Sequence, residues 1–234
     1  MGILSRLFRR GPTLDAAAAQ RLAGWRALAP LPLNEPFDVG RYVVVDVEST
    51  GLDLNRDRLI AIGAVVVEGG KIVLRESFEI VLRQDKVSTK DNILIHGIGG
   101  EAQREGVAPV EGLLDFLEFL GKMPLVAFHV TFDQTMIRRA LDDYLGLDFK
   151  HPWLDLAYVM PGLLPEYARR YRALDDWSGY FRISNYARHS ALADALATAQ
   201  LMLAALPLAE TKKSFTYKNL QDLEQAQRWV SWSG

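Results

Sequence analysis

The chain has no cysteine among its 234 residues. That absence removes disulfide frameworks, thiolate zinc sites, iron–sulfur clusters and cysteine nucleophiles together, and it fits the reducing setting of a cytoplasmic protein. Long apolar runs are also scarce: no stretch is read as approaching the about 20 apolar residues of a membrane-spanning helix, so no membrane partner is expected. The opening decapeptide MGILSRLFRR carries its basic residues after a short apolar patch, the wrong order for a secretory signal. Gly2 and Ser5 also miss the myristoylation pattern, which wants Ser or Thr at position six. The phosphate-loop, G-x-S-x-G and H-E-x-x-H signatures are missing too. Neither sign of charge dominates: 27 basic against 29 acidic residues give a net charge of −2, which leaves nucleic acid open as a partner because a basic groove can sit on a neutral protein.

What is present reads as one α/β unit with extensions at both ends. Leu14, Ala18, Leu22 and Trp25 recur at helical spacing over 13–29, with Thr13 placed to cap, and a proline-rich connector follows to residue 36. Tyr42 to Val47 is an apolar, β-branched run expected as a buried strand. Strands are expected at Leu59–Val67 and Ile72–Leu82, joined as a hairpin by Glu68-Gly69-Gly70-Lys71. After an irregular stretch, the pattern predicts a helix over Val110–Leu120, a strand at Leu125–Phe128, a helix over 132–145, a short apolar segment at 153–158 and a helix over 190–205. Hairpin-joined strands followed by alternating helix and strand imply a mixed sheet covered by helices. The expected division is 1–36 as N-terminal helix and connector, 37–207 as the principal domain, and 208–234 as a polar extension with an amphipathic helix at 219–230.

The chemistry begins at Asp46-Val47-Glu48. Residues i and i+2 of a strand face the same way, so both carboxylates leave one face together. Side by side at the end of an apolar strand they repel, and a hard divalent cation with oxygen ligands is their natural partner. The same dipeptide pattern, taken alone, is better explained by a strand that ends at Asp46 with Glu48 exposed to solvent. Asp133 adds to the case, following the next buried strand near a helix start. So does Asp194, an acid in the otherwise apolar run Ala191-Leu192-Ala193-Asp194-Ala195-Leu196-Ala197, with His189 just before the helix and Ser190 placed to cap it. Acids and a histidine gathered at strand ends and helix starts are the layout of an open α/β active site.

The ordered set Asp46-x-Glu48, Asp133 and His189-x-x-x-x-Asp194 resembles the DEDD exonuclease superfamily in its histidine-type branch, which holds the proofreading epsilon subunit of bacterial DNA polymerase III and ribonuclease T. Val45 to Leu52 is similar to that group's D-x-E-T-T-G segment, Ile95-His96-Gly97-Ile98 to its I-H-G-I segment, and Arg188 to Ala195 to its third motif; the likeness covers about residues 41–207. It implies a ribonuclease H-like fold, a three-strand antiparallel start followed by parallel strands, flanked by helices. It implies a 3′→5′ exonuclease acting on the 3′ end of nucleic acid, single-stranded DNA favoured and RNA open. By the same resemblance two Mg2+ or Mn2+ ions are held by Asp46, Glu48, Asp133 and Asp194, and His189 takes the proton of the attacking water. Thr50, Gly51, Leu52, His96 and Phe132 contact the substrate, and a polymerase or other protein partner docks through the terminal extensions.

The second motif departs from the group's usual H-N-A-x-F-D: here it is Phe128-His129-Val130-Thr131-Phe132-Asp133, with His129 in the asparagine's place. Ser49 stands where threonine is usual. His96 is open between touching substrate and holding its loop, His151 is expected at the surface, and Asp155 is expected to be structural. Residues 166–188 carry five arginines against three acids, interleaved with rings. Such a segment reads either as an amphipathic helix with solvated arginines or as a single-strand binder. Two further alternatives are a non-catalytic binding module that keeps the fold, and a dinucleotide site at Gly97-Ile98-Gly99-Gly100-Glu101-Ala102, which would need a strand just before it.

Overall fold

The computed structural model describes residues 12–185 and 187–232, the side chains of 231 and 232 excepted. The expectations placed on residues 1–10 and on Tyr186 lie outside the described residues. Nine residues, buried without a break from Tyr42 to Val45 and alternating beyond, form β1 (Arg41–Ser49), the middle strand of a five-stranded sheet ordered β3-β2-β1-β4-β5. On one side β1 pairs antiparallel with β2 (Leu59–Glu68), which pairs antiparallel with β3 (Lys71–Val81). Gly69 and Gly70 both take positive φ in the turn between them, a conformation that costs glycine little. On the other side β1 runs parallel to β4 (Leu125–Ala127), and β4 parallel to β5 (Trp153–Asp155). This is the ribonuclease H-like α/β architecture expected.

The sheet separates two cores. Val43, Val45 and Val47 point into a layer that includes Trp25 of α1 (Ala16–Ala27), Leu113 and Phe116 of α4 (Pro109–Leu120) and Ile137 of α5 (Val130–Leu145). Tyr42 and Val44 point the other way, onto α6 (Leu156–Leu163), α8 (Ala191–Thr211) and α9 (Tyr217–Trp232). Asp46 and Glu48 continue that second face.

Several boundaries differ from expectation. Asp15, not Thr13, caps α1, its carboxylate accepting from the Ala18 amide at 2.8 Å. The stretch read as irregular holds α2 (Lys90–His96) and α3 (Gly100–Glu105), and α2 rather than a strand precedes Gly97, so a dinucleotide fingerprint lacks its strand. Helix α8 runs past Pro207 to Thr211: the proline removes one helical hydrogen bond, but Leu206 and Ala209 beside it are buried and hold the turn. Its 21 residues are long and apolar enough to cross a membrane by length and composition, which corrects the reading that no stretch approaches a span; here the helix packs across β1 and β2.

The expected boundary at 207/208 falls inside α8, and the residues beyond it join the core. Tyr217 is fully buried, its hydroxyl donating to the Leu125 carbonyl at 2.7 Å and its ring stacked on Tyr42 at 5.7 Å. The connector is tied to the same place, with the Phe37 amide donating to the Phe215 carbonyl at 3.1 Å. His151, expected at the surface, is half-buried: its ring stacks on Phe149 and its Nε2 lies 2.6 Å from the Met123 carbonyl.

Candidate active site

β1 outruns its parallel neighbour. The β1–β4 register covers only Val43 and Val44, so the strand's last residues stand at the mouth of the sheet, with Asp46 opposite Gly63 and Glu48 opposite Ala61 on β2. Gly63 decides what can approach. A side chain there would lie 2.1 Å from the Leu192 amide nitrogen and 2.2 Å from the Ala191 carbonyl carbon, so only glycine lets the first turn of α8 settle directly on β2. That contact brings Asp194 to the β1 acids: carboxylate oxygens of Asp46, Glu48 and Asp194 lie within 4.8 Å of one another.

Asp194 is 3% exposed and well supplied with donors. Arg188 Nη1 reaches it at 2.5 Å, the His189 amide at 3.0 Å, and Asn185 Nδ2 donates to its other oxygen. Ser190 occupies the cap position of α8 as expected, but its side chain makes no cap bond. His189 itself sits exposed with φ 64°, a left-handed turn that sends the chain from Arg188 into the helix. On the neighbouring strand, β4 ends and His129, at φ 65°, turns the chain into α5, whose first turn carries the buried Asp133. The Asp155 carboxylate accepts from the His129 amide at 2.9 Å and from the Ala157 amide at 3.0 Å, which anchors this corner.

The charges at this mouth are poorly balanced. Burial pushes the Asp46 carboxyl well above its usual range, and repulsion from Asp133, Asp194 and Glu48 adds to it. Glu48 is pushed up to about 8 by burial and then by Asp194, with Arg188 opposing. Asp133 is raised chiefly by burial, partly offset by its own backbone amide. Acidic oxygens that resist ionisation because they crowd one another fit a hard divalent cation, which removes both desolvation and repulsion. Three of the four expected ligands are thus brought into one group; Asp133 stands outside that trio, yet close enough to raise Asp46.

The expected substrate residues are placed unevenly. Thr50 and Gly51 are half-buried just beyond the acids and Leu52 is 86% exposed. Thr50 is locked: its hydroxyl donates to Asp57 Oδ1 at 2.8 Å, and its carbonyl accepts from Asn92. Phe132 is half-buried against the first core. His96 lines the same groove as His189, but it is 6% exposed, with Nδ1 accepting from the Ile98 amide at 3.0 Å and Nε2 at 3.2 Å from the Ser88 hydroxyl. Both ring nitrogens are therefore used within the loop. Sequence reasoning missed Asn185, and it noted Arg188 as one of a basic run and as the start of the third-motif segment without giving it a partner; the signal available was their nearness to His189 and Asp194 in the chain.

A sheet mouth that gathers Asp46, Glu48 and Asp194, with Asp133 on the adjoining helix start, fits an exonuclease-type site on a ribonuclease H-like sheet. Residues 43–202 match the RNase_T exonuclease family, and the chain belongs to it. It is 30% identical over 176 residues to the DNA polymerase III subunit epsilon of Aquifex aeolicus, covering 71% of this chain and 81% of that protein. It is 29% identical over 200 residues to the PolC-type DNA polymerase III of Thermotoga maritima, covering 86% of this chain but only 14% of the polymerase, so it spans a small part of that relative. Among solved structures, E. coli exonuclease I in complex with a dT13 oligonucleotide superposes with a TM-score of 0.61 at 17% identity, over 74% of this chain and 42% of that one. Exonuclease X in complex with 5′-overhanging duplex DNA gives 0.61 at 18% identity, over 78% and 99%. At such identities the two structures speak for the fold.

Proposed function

We propose that this chain is a 3′→5′ exonuclease that hydrolyses phosphodiester bonds at the 3′ end of single-stranded DNA, with two magnesium or manganese ions held by Asp46, Glu48, Asp133 and Asp194 and with His189 as general base. The observation that carries the reading is the convergence of Asp46, Glu48 and Asp194 within 4.8 Å, with Asp133 on the adjoining helix start, in a member of the exonuclease family. Divalent ions, when bound, stabilise the attacking and leaving oxygens of an in-line displacement. The chain's own residues do the rest. Asp46 lies centrally, repelled by each of the other three acids, and with Glu48 and Asp194 it would hold the ions, which would supply the positive charge the group lacks. His189 is exposed beside Asp194, its backbone fixed by the hydrogen bond its amide donates to that carboxylate, and its imidazole nitrogen takes the proton from the attacking water. Leu52 presents an apolar side chain to the terminal base, while Thr50 is held in place by Asp57.

DNA is favoured because relatives are named as DNA polymerase III proteins and two fold neighbours were solved with DNA. A polymerase partner, reached through the segments outside residues 43–202, and a cytoplasmic setting belong to the same proposal. The test is degradation of matched 3′-labelled and 5′-labelled DNA and RNA strands with magnesium, manganese or chelator. The 3′ label should appear at once as mononucleotide, while the 5′-labelled strand shortens stepwise. Undiminished activity in excess chelator would overturn the metal mechanism, degradation of RNA alone would overturn the DNA preference, and binding without hydrolysis would make the chain a binding module.

A further inference from the structure

The segment between α6 and α8 combines two features that the sequence could not separate. Its rings pack on one another: Tyr167 stacks on Tyr171 at 5.2 Å, Tyr171 meets Trp177 edge-on at 5.2 Å, and Tyr180 closes on Tyr167 at 4.8 Å. Trp177, on α7 (Leu174–Phe181), is fully buried and ties this cluster to the second core. The rings are therefore scaffold. The arginines are not: Arg169, Arg170, Arg172 and Arg182 are exposed and make no ion pair among the described residues, Arg170 lying over the Tyr171 ring at 5.3 Å. The acids that would balance them are engaged elsewhere. Asp176 accepts from the Arg172 and Ala173 amides at 2.9 and 2.8 Å, and Asp175 pairs with Arg188 Nε at 2.9 Å, which leaves Glu166. Arg188 in turn holds Asp194 at 2.5 Å, so the first turn of α7 is joined to the candidate active site by a single side chain.

We infer that this arginine surface, carried on a rigid ring cluster that Arg188 links to Asp194, binds the phosphates of a single-stranded nucleic acid upstream of its 3′ end. The inference rests on the proposed exonuclease reading for the strand's direction. Exposed guanidinium charge without acidic partners attracts a polyanion, and arginine is suited to phosphate by its planar fork of donors.

The test is binding of a fluorescent 20-nucleotide oligothymidylate, in EDTA so that the strand survives, across a salt series. Each phosphate contact on a single strand contributes about 0.7 to the salt slope, so the triple variant Arg169→Gln, Arg170→Gln, Arg172→Gln should lose about 2 from it and bind at least about tenfold more weakly at low salt. Arg172→Gln alone should lose about 0.7 and serves if the triple variant melts at a lower temperature. Unchanged affinity and slope in both variants overturn the inference. So does a polyglutamate peptide that binds with the same arginine dependence while the oligonucleotide does not bind. Arginine-dependent strand binding by a protein that degrades no strand with manganese would uphold the surface and overturn the exonuclease reading instead.

Discussion

Two groups of acids lie at strand ends of the same sheet, and they are built in opposite ways. At the end of β5, Asp155 is 1% exposed, yet its charge is answered: Arg228 Nη2 reaches it at 2.8 Å, Arg228 Nε reaches Glu224 at 2.9 Å, and the Glu224 carboxylate accepts from the Asp155 amide at 3.1 Å. Burial raises both acids, and Arg228 together with backbone amides pulls them back. At the end of β1, Asp46, Glu48, Asp133 and Asp194 crowd together with one guanidinium, that of Arg188, among them. The first group is neutralised by the chain itself and serves folding. The second is left short of positive charge, the deficit that the proposed divalent ions would fill. Local burial does not distinguish the two; the count of internal counter-charges does.

Breaking the second group should produce the largest effects. Asp46→Asn should remove metal-dependent hydrolysis, a loss of about 10³-fold or more, as expected when transition-state charge loses its partner. His189→Ala should slow turnover by about 10²–10⁴-fold while leaving metal binding intact, because positioned proton transfer contributes on that scale. Calorimetric titration with manganese beside single-turnover rates reads both. A His189→Ala protein that no longer binds manganese, or that keeps full speed, would sink the role given to it.

Stability should separate the two groups by sign. Arg228→Met leaves Asp155 buried without its cation and should cost about 3 kcal/mol, the scale for removing one partner of a buried pair. Glu48→Gln relieves repulsion instead, and in chelator it should stabilise the protein. Urea denaturation of the two variants beside the unmodified chain decides it; two shifts of the same sign would erase the contrast.

A smaller, pH-dependent effect sharpens the point. Glu48, raised to about 8 from an ordinary 4.5, keeps in the folded protein a proton that the unfolded chain gives up. Its contribution is therefore fully present below pH about 4.5 and is lost as pH rises through about 8. The advantage of Glu48→Gln in EDTA should accordingly grow between pH 5 and 8.5, and manganese should reverse it most at the alkaline end, where protons no longer compete for the ligands. Melting temperatures that show a constant gap across this range would mean that Glu48 does not carry the raised affinity for its proton.

Parts of this site were legible before any coordinates. Alternation along Tyr42–Ser49 put Asp46 and Glu48 on one face, and Asp194 stood out as an acid in an apolar helix. Strand alternation and helical composition are local properties, and the chain displays them. The stretch before Val110 reads as irregular in sequence because α2 and α3 are too short to show periodicity; α2 is set by its ends, with Thr89 capping and Gly97 at φ 70°. Helix α8 reaches Thr211, beyond the 190–205 that its alanine and leucine content predicts, because burial of Leu206 and Ala209 carries it past Pro207. The tail was set aside as polar, although Tyr217 and Leu220 fill the second core.

The sequence by itself determined which residue types could hold a cation, which strands and helices would carry them, and the layered α/β class, since these follow from side-chain chemistry and from periodicities of two and 3.6. Tertiary structure alone decided how near the acids come and who answers them. Gly63 matters because α8 lands on it, Arg188 because its turn faces Asp194, and Arg228 because a helix more than seventy residues further along the chain closes over Asp155. Charge balance in a buried site depends on distances between residues far apart in the chain, and those distances exist only once the sheet and its two helical layers have packed.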